Sequence, residues 1–201
     1  MDVLLSGVIR FAITPYALCS PGDGYMPDYR RYRVAGGTYF FTVNLLERYP
    51  NDLLVRHIEL LRTVVRQVRE RWPFHIDAWV VLPDHLHCLW TLPSGDHDFT
   101  NRWRLIKQGF SKALPKDERR SAVRIKRGER GIWQRRFWEH VIRDDRDYAA
   151  HVDYCHINPY KHGYVKHLAE WPYSTFQHFV TQGIYPADWA SGTESTINGS
   201  E

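Results

Sequence analysis

The stretch FHIDAWVVLPDHLHCLWTL, residues 74–92, decides the fold. It contains two apolar runs rich in β-branched and aromatic residues, 74–82 and 86–92, which flank the turn-forming pair Pro83-Asp84. Two strands this close together in sequence predict an antiparallel hairpin, because a parallel crossover needs a dozen or more connecting residues. The stretch therefore disfavours a doubly wound parallel sheet.

The segments on either side of this hairpin alternate between strand and helix patterns. In order, the predicted elements are a strand at 38–46, a helix at 51–71 capped by Asn51 or Asp52, the hairpin, a basic helix at about 100–114, a strand at 132–142, and a helix that is capped by Asp144 or Asp145 and ended by Pro159. This order predicts an α+β fold, a ferredoxin-like or RRM-like antiparallel sheet with helices packed on one face.

Length and composition are those of a single domain with its own core. The chain has 201 residues, enough to bury most of its apolar surface without disulfides. We expect an N-terminal extension at 1–25, a folded domain at 26–185 and a flexible tail at 186–201. No apolar run is long enough to span a membrane, and the odd number of cysteines (Cys19, Cys88 and Cys155) predicts a reducing, cytoplasmic location.

Positive charge is concentrated between Asn101 and Arg136. This segment holds thirteen Lys or Arg against three acids, a net of +10 within a chain whose net charge is +4. It predicts either a surface that binds a polyanion or a solvated charged loop. Aromatic residues among these cations favour nucleic acid, since their rings can stack on unpaired bases. These residues are Trp103, Phe110, Trp133, Phe137 and Trp138.

The histidines of the 86–92 strand form the first candidate site. Side chains alternate across a strand, so His85 and His87 point to the same face with their Cα atoms roughly 6.6 Å apart, while Leu86 and Cys88 point to the other. Two imidazoles in this arrangement can ligate one metal ion. The alternative is a pair of half-buried histidines at a sheet edge.

The last helix carries the second candidate site. His151, Tyr154 and Asn158 are spaced i, i+3 and i+7 and so share one helical face. Tyr148 lies six residues before Tyr154, about 120° away around the helix. The pattern allows Tyr154 to be a reactive phenol or an interior anchor with a hydrogen-bonded hydroxyl.

Together these motifs resemble a known family. His85-Leu86-His87, followed by Tyr154-Cys155-His156-Ile157-Asn158-Pro159, is similar to the single-tyrosine HUH transposases, and among them to the REP-associated tyrosine transposases. The resemblance runs from about residue 26 to about residue 189. Further shared motifs are Tyr29-Arg30-Arg31, Gly37-Thr38-Tyr39, the segment 79–85, the segment 133–140 and Trp171-Pro172-Tyr173-Ser174. Cys155 stands where the family usually has isoleucine, and its position off the catalytic face predicts a change of packing only.

The resemblance implies a metal-dependent endonuclease and strand transferase that acts on single-stranded DNA. Tyr154 would be the nucleophile and would form a 5′-phosphotyrosine link. His85, His87 and the amide oxygen of Asn158 would hold a divalent ion, Mg²⁺ or Mn²⁺, for which this ligand set is suitable. Two imidazoles are also compatible with zinc.

The implied substrate is a repetitive palindromic hairpin, bound as single-stranded or hairpin DNA by a monomer or homodimer in the cytoplasm, associated with the nucleoid. A replication initiator or relaxase, and a binding protein without catalysis, are the alternatives. The residues expected to contact DNA come from the basic segment and the shared motifs: Arg30, Arg31, Thr38, Tyr39, Arg102, Arg104, Lys107, Lys112, Arg135, Arg136, Lys161 and His162.

Overall fold

A four-stranded antiparallel sheet forms the centre of the protein in the computed structural model, which describes residues 31–48, 50–116 and 120–190. The strands are β1 (Thr38–Asn44), β2 (His75–Val81), β3 (His85–Thr91) and β4 (Trp138–Val141). Their spatial order is β2-β3-β1-β4, and every neighbouring pair is antiparallel. The predicted α+β class is confirmed. The predicted boundary at residue 26 and most of the predicted tail lie outside the described residues.

Helices occupy most of the connections between strands. They are α1 (Leu53–Arg56), α2 (Ile58–Arg71), α3 (Phe99–Ala113), α4 (Ala122–Lys126), α5 (Asp145–Lys161), a 3-10 turn (Leu168–Glu170) and α6 (Phe176–Thr181). The helix predicted over 51–71 is divided at His57, whose backbone leaves the helical region. No helix among the described residues is long and apolar enough to cross a membrane.

The 74–92 hairpin forms as predicted and sets the direction of each side chain. Val81 pairs with Leu86, and the amide of Leu82 donates to the carbonyl of His85 at 2.8 Å. Leu86, Cys88 and other residues of this parity enter the larger core beneath α2 and α3. His85 and His87 consequently lie on the opposite face of β3.

The helices lie on both faces of the sheet, which differs from the one-face prediction. The apolar sides of α2 and α3 cover Tyr39, Phe41 and Val43 of β1. By contrast, α5 packs through Val152 and Cys155 on a smaller core that contains Phe40 on the other face. Cys155 is buried there, as expected for a packing substitution. Because α5 has charged residues as well as apolar ones, its local pattern did not show which face it would cover.

The fourth strand is shorter than predicted. Only Trp138–Val141 joins the ladder, although Trp133 also bridges Leu45. Between Trp133 and Trp138 the chain advances five residues while β1 advances three, from Leu45 to Thr42. The chain between these two positions therefore bulges out of the ladder. Arg135 and Arg136 lie in this bulge, and their side chains are exposed.

Pro159 does not end α5, contrary to the prediction. The helix continues to Lys161, and the N–H of His162 donates to the carbonyl of Asn158 at 2.9 Å. A proline removes one backbone donor, so a helix can continue beyond it if packing compensates for the lost bond. Here His156, Asn158 and Pro159 itself are buried.

Two residues expected at the DNA surface are instead inside the protein. Tyr39 is buried in the core, and its hydroxyl donates to the carbonyl of Val34 at 2.9 Å. Arg102 is 0% exposed. Its guanidinium donates to the carbonyls of Trp72, Pro73 and Asp98, and to the Asp96 carboxylate at 2.6 Å. Neither side chain can reach a phosphate from this position.

Arg102→Ala should therefore destabilise the fold and not specifically weaken DNA binding. The change leaves the carbonyls of Trp72, Pro73 and Asp98 and the Asp96 carboxylate without their donor. The expected loss is about 3 kcal/mol in the free energy of unfolding, the low end of the cost of removing one partner of a buried ion pair, since Asp96 is partly exposed. Urea denaturation measures it, with Arg104→Ala, an exposed arginine of the same helix, as the matched control. An unchanged midpoint for Arg102→Ala would contradict this structural role.

Candidate active site

The two strand histidines lie side by side on the face of the sheet that α5 covers. The ring centroids of His85 and His87 are 5.0 Å apart, with the ring planes nearly perpendicular at 88°. Both residues are buried. The register explains the shared face, since His87 pairs with Thr42 and His85 with Asn44 of β1.

Each imidazole is held through its Nδ1 atom. In His85, Nδ1 lies 2.6 Å from the carboxylate of Asp84, which also accepts from Arg48 at 2.6 Å. In His87, Nδ1 lies 2.9 Å from the hydroxyl of Thr42. A carboxylate partner fixes the tautomer of a metal-binding histidine, so Nε2 of His85 is left as the ligand atom. The Thr42 hydroxyl can donate or accept, so it orients the ring of His87 and leaves Nε2 facing away from it.

Electrostatics favour the neutral form of His87. Burial and the nearby cationic groups hold its pKa well below the usual value. Burial alone would raise the pKa of Asp84, but hydrogen bonds from His85 and Arg48 lower it to about 2. A neutral imidazole and an ionised carboxylate partner are the states that metal ligation requires.

Tyr154 lies on α5 and packs against β3 and β1. Its ring centroid is 5.3 Å from that of His87 and 5.7 Å from that of Phe40, in edge contacts. The ammonium of Lys161 lies 5.5 Å from the ring centroid. Burial raises the pKa of the phenol, so this hydroxyl is less acidic than a free tyrosine.

Asn158 follows Tyr154 by one helical turn and is 1% exposed. Its amide nitrogen donates to the backbone carbonyl of Tyr154. Its amide oxygen is buried and has no hydrogen-bond partner among the described residues. An unsatisfied buried oxygen is costly unless something outside the chain binds it. A hard divalent ion is a suitable partner, so the residues present fit the metal that the resemblance implies.

The other tyrosines near this helix occupy different environments. The hydroxyl of Tyr148 donates to the carboxylate of Asp77 at 3.3 Å. Burial and the charge of Asp77 raise its pKa to about 12. Tyr160 lies within α5, two residues after Asn158. Of the three tyrosines, Tyr154 is the one whose ring contacts His87.

A second cluster of ionisable side chains was not found from the sequence. His140 of β4 and His151 of α5 both contact Asp147, with Nε2 of His140 2.8 Å from one carboxylate oxygen and Nδ1 of His151 3.1 Å from the other. These ligand-type atoms are close enough to approach one metal ion. However, the two imidazoles are stacked at 4.5 Å with planes 14° apart. Nδ1 of His151 also lies 2.8 Å from the backbone carbonyl of Asp147, so both rings are already held by hydrogen bonds within the chain.

The remaining residues expected at DNA are placed differently from one another. Exposed side chains belong to Arg104, Lys112, Arg135, Lys161 and His162, and also to Arg136. Thr38 shares a hydrogen bond with Thr91 across the sheet. Lys107 donates to the carbonyl of Gln134 and lies over the ring of Phe137. Arg30 lies outside the described residues, which begin at Arg31.

An antiparallel sheet with exposed arginines and a tyrosine beside paired imidazoles suits a DNA-processing enzyme, and the relatives support this class. In sequence, the chain is 51% identical over 165 residues to the REP-associated tyrosine transposase of Escherichia coli K12, covering 82% of this chain and 92% of that one. It is 45% identical over 175 residues to a Haemophilus influenzae protein provisionally given the same designation, covering 87% and 99%. The chain belongs to the family of REP-associated tyrosine transposases.

The structure agrees with this assignment. A solved REP-associated tyrosine transposase, bound to a REP hairpin, superposes with a TM-score of 0.71 at 48% identity, covering 88% of this chain and 98% of that one. No protein-family model matches the chain. The sequence identities with these relatives and the superposition confirm the family predicted from the sequence motifs.

Proposed function

We propose that this protein cleaves and rejoins single-stranded segments of REP-type hairpin DNA, with Tyr154 as the nucleophile. The observation that carries the proposal is the contact between the rings of Tyr154 and His87, whose centroids are 5.3 Å apart. Asn158 follows Tyr154 by one helical turn, and its amide oxygen has no partner within the part of the chain that the structure describes. A scissile phosphate bound there would meet a phenol and two imidazoles at once.

The chemistry is a transesterification. The hydroxyl oxygen of Tyr154 attacks phosphorus, the bond from phosphorus to the 3′ oxygen breaks, and a 5′-phosphotyrosine link forms. The phenol proton ends on the departing 3′ oxygen. Because the broken phosphodiester is replaced by a phosphotyrosine diester, no external energy source is consumed. In the reverse step a 3′-hydroxyl attacks the phosphotyrosine and rejoins a strand.

The residues of the site have separate tasks in this reaction. His85, His87 and Asn158 would hold Mg²⁺ or Mn²⁺, which supplies the Lewis acidity that offsets the charge gained at phosphorus. Asp84 and Thr42 orient the two imidazoles. Burial raises the pKa of Tyr154, so its hydroxyl is protonated in the protein without substrate.

The substrate class rests on the relatives and on the charge of the surface. The solved relative is bound to a REP hairpin, and this chain presents Arg104, Lys112, Arg135 and Arg136 to solvent. Such cations contact phosphates without reading sequence. We place the protein, as a monomer or homodimer, in the cytoplasm in association with the nucleoid.

Purified protein and end-labelled hairpin oligonucleotides with a single-stranded flank test the function. Cleavage in Mn²⁺ and its loss in EDTA are the expected results. The control is a duplex of the same composition without the flank, which should bind through its phosphates but remain intact. If the protein binds the hairpin but cleaves it in neither Mg²⁺ nor Mn²⁺, the result would support the alternative of a binding protein without catalysis.

A further inference from the structure

The aromatic residues of the basic segment differ in exposure. Trp103 and Phe110 are fully buried, and Trp133 and Phe137 pack against the larger core. Trp138 is 44% exposed. All five lie within the described ranges. Of the five aromatic residues that suggested base stacking, Trp138 is therefore the one whose ring is exposed enough to stack on a base. A single exposed tryptophan needs no explanation by itself, but its surroundings here are specific.

The indole of Trp138 is supported from behind by a column of parallel rings. His140 stacks on it with centroids 5.9 Å apart and planes 6° apart. His151 stacks on His140 at 4.5 Å and 14°. His140 is held by the carboxylate of Asp147, which also accepts from the side chain of Arg143, and Nδ1 of His151 lies 2.8 Å from the backbone carbonyl of Asp147. The stacking contact with His140 restricts the orientation of the Trp138 ring, which remains partly exposed.

This surface lies beside the proposed nucleophile. Trp138 and His140 alternate with Glu139 on β4, so they share the face of the sheet that carries Phe40, which pairs with His140. The ring of Phe40 is 5.7 Å from that of Trp138 and also 5.7 Å from that of Tyr154. The indole and the phenol thus flank one phenylalanine. The ring centroids of Trp138 and Tyr154 can therefore be no more than twice 5.7 Å apart.

Positive charge adjoins the indole on the chain. Arg136 precedes it and is exposed; Arg135 and Arg143 are exposed as well, although Arg135 pairs with Glu129 at 2.6 Å and Arg143 with Asp147 at 3.2 Å. A flat aromatic surface next to cations suits a base whose neighbouring phosphates need partners. The β4 edge is also open, because β1 is its partner on one side and no described strand pairs on the other.

We infer that an unpaired nucleobase of the substrate strand, next to the scissile phosphate, stacks on Trp138. The inference rests on the proposed function and adds a positioning contact to it. Stacking fixes the nucleotide whose phosphate Tyr154 attacks, and it tolerates any base because every base has a π-face. It therefore acts on placement and affinity and not on sequence choice.

The test measures binding of the full chain to hairpin oligonucleotides in EDTA, by fluorescence anisotropy. Trp138→Ala should weaken binding about tenfold, the usual effect of losing one base–aromatic stack, whereas Trp138→Tyr should retain most of the affinity. The control is Trp72→Ala, which removes a similarly exposed indole, 42% exposed, at the C-terminal end of α2. Its affinity should not change.

Oligonucleotides with one abasic site, moved along the unpaired flank, locate the stacked base. At one position beside the cleavage site the abasic change should weaken binding to the wild type about as much as Trp138→Ala does, and should add nothing in that variant. Unchanged affinity in Trp138→Ala, or losses that add at every position, would overturn the inference. Failure of the wild type to cleave in Mn²⁺ would overturn the proposed function separately. The two outcomes can be told apart because the effects of Trp138→Ala and of the abasic site are both measured as binding affinities in EDTA, where no cleavage is needed.

Discussion

Replacing Tyr154 by Phe should abolish the covalent protein–DNA adduct while the fold and the affinity for DNA remain. The change removes one oxygen and keeps the ring that contacts His87, Phe40 and Lys161. Cleavage should fall about 10⁴-fold or more, as expected when a covalent nucleophile is lost and binding contacts persist. No described residue on this face of α5 offers a second hydroxyl one turn from Asn158.

The measurement is an adduct assay with DNA labelled on the strand downstream of the scissile phosphate, followed by mass spectrometry of the linked peptide. Tyr148→Phe is the matched control, because it also removes one phenolic oxygen from α5 but breaks a bond to Asp77. That variant should form the adduct at close to the wild-type rate. A phosphotyrosyl peptide at Tyr148 or Tyr160, or an undiminished adduct in Tyr154→Phe, would refute the assignment of the nucleophile.

Loss of the metal-ligand candidates should produce the second large effect. In His87→Ala we expect Mn²⁺ binding to become undetectable by calorimetry and cleavage to fall at least about a hundredfold, since several kcal/mol of charge stabilisation at phosphorus would be lost. DNA binding in EDTA should change little, because the phosphate contacts come from elsewhere. Substituting the orienting hydroxyl, Thr42→Val, should weaken Mn²⁺ binding by about 10–100-fold, as outer-shell changes usually do.

The control for this series is His75→Ala, an exposed histidine at the start of β2, which should bind Mn²⁺ normally. Burial and neighbouring cations hold the pKa of His87 well below its usual value. Protons should therefore compete with the ion at His87 only at a pH well below the range in which ordinary histidines titrate. Cleavage by the wild type in EDTA at the rate seen in Mn²⁺, with the same rate in His85→Ala/His87→Ala, would disprove metal dependence.

Local patterns were enough to predict the elements that carry the proposed chemistry. The alternation of side chains in a strand placed His85 and His87 on one face and Leu86 and Cys88 on the other, as the structure has them. The helical repeat grouped Tyr154 with Asn158 and separated Tyr148. Both inferences depend on backbone periodicity over a few residues, which the sequence states directly.

Contacts between distant segments were decided by the tertiary structure. Arg102 stands in a basic helix and resembles a phosphate ligand, yet packing of α3 beside the end of α2 surrounds it with carbonyl groups. Likewise, no spacing rule indicated that His140 of β4 would stack on His151 of α5 or that Trp138 would remain exposed. Periodicity gives the direction of a side chain relative to its own helix or strand. What lies in that direction depends on which other element packs there, and for α5 that is the sheet face opposite α2 and α3.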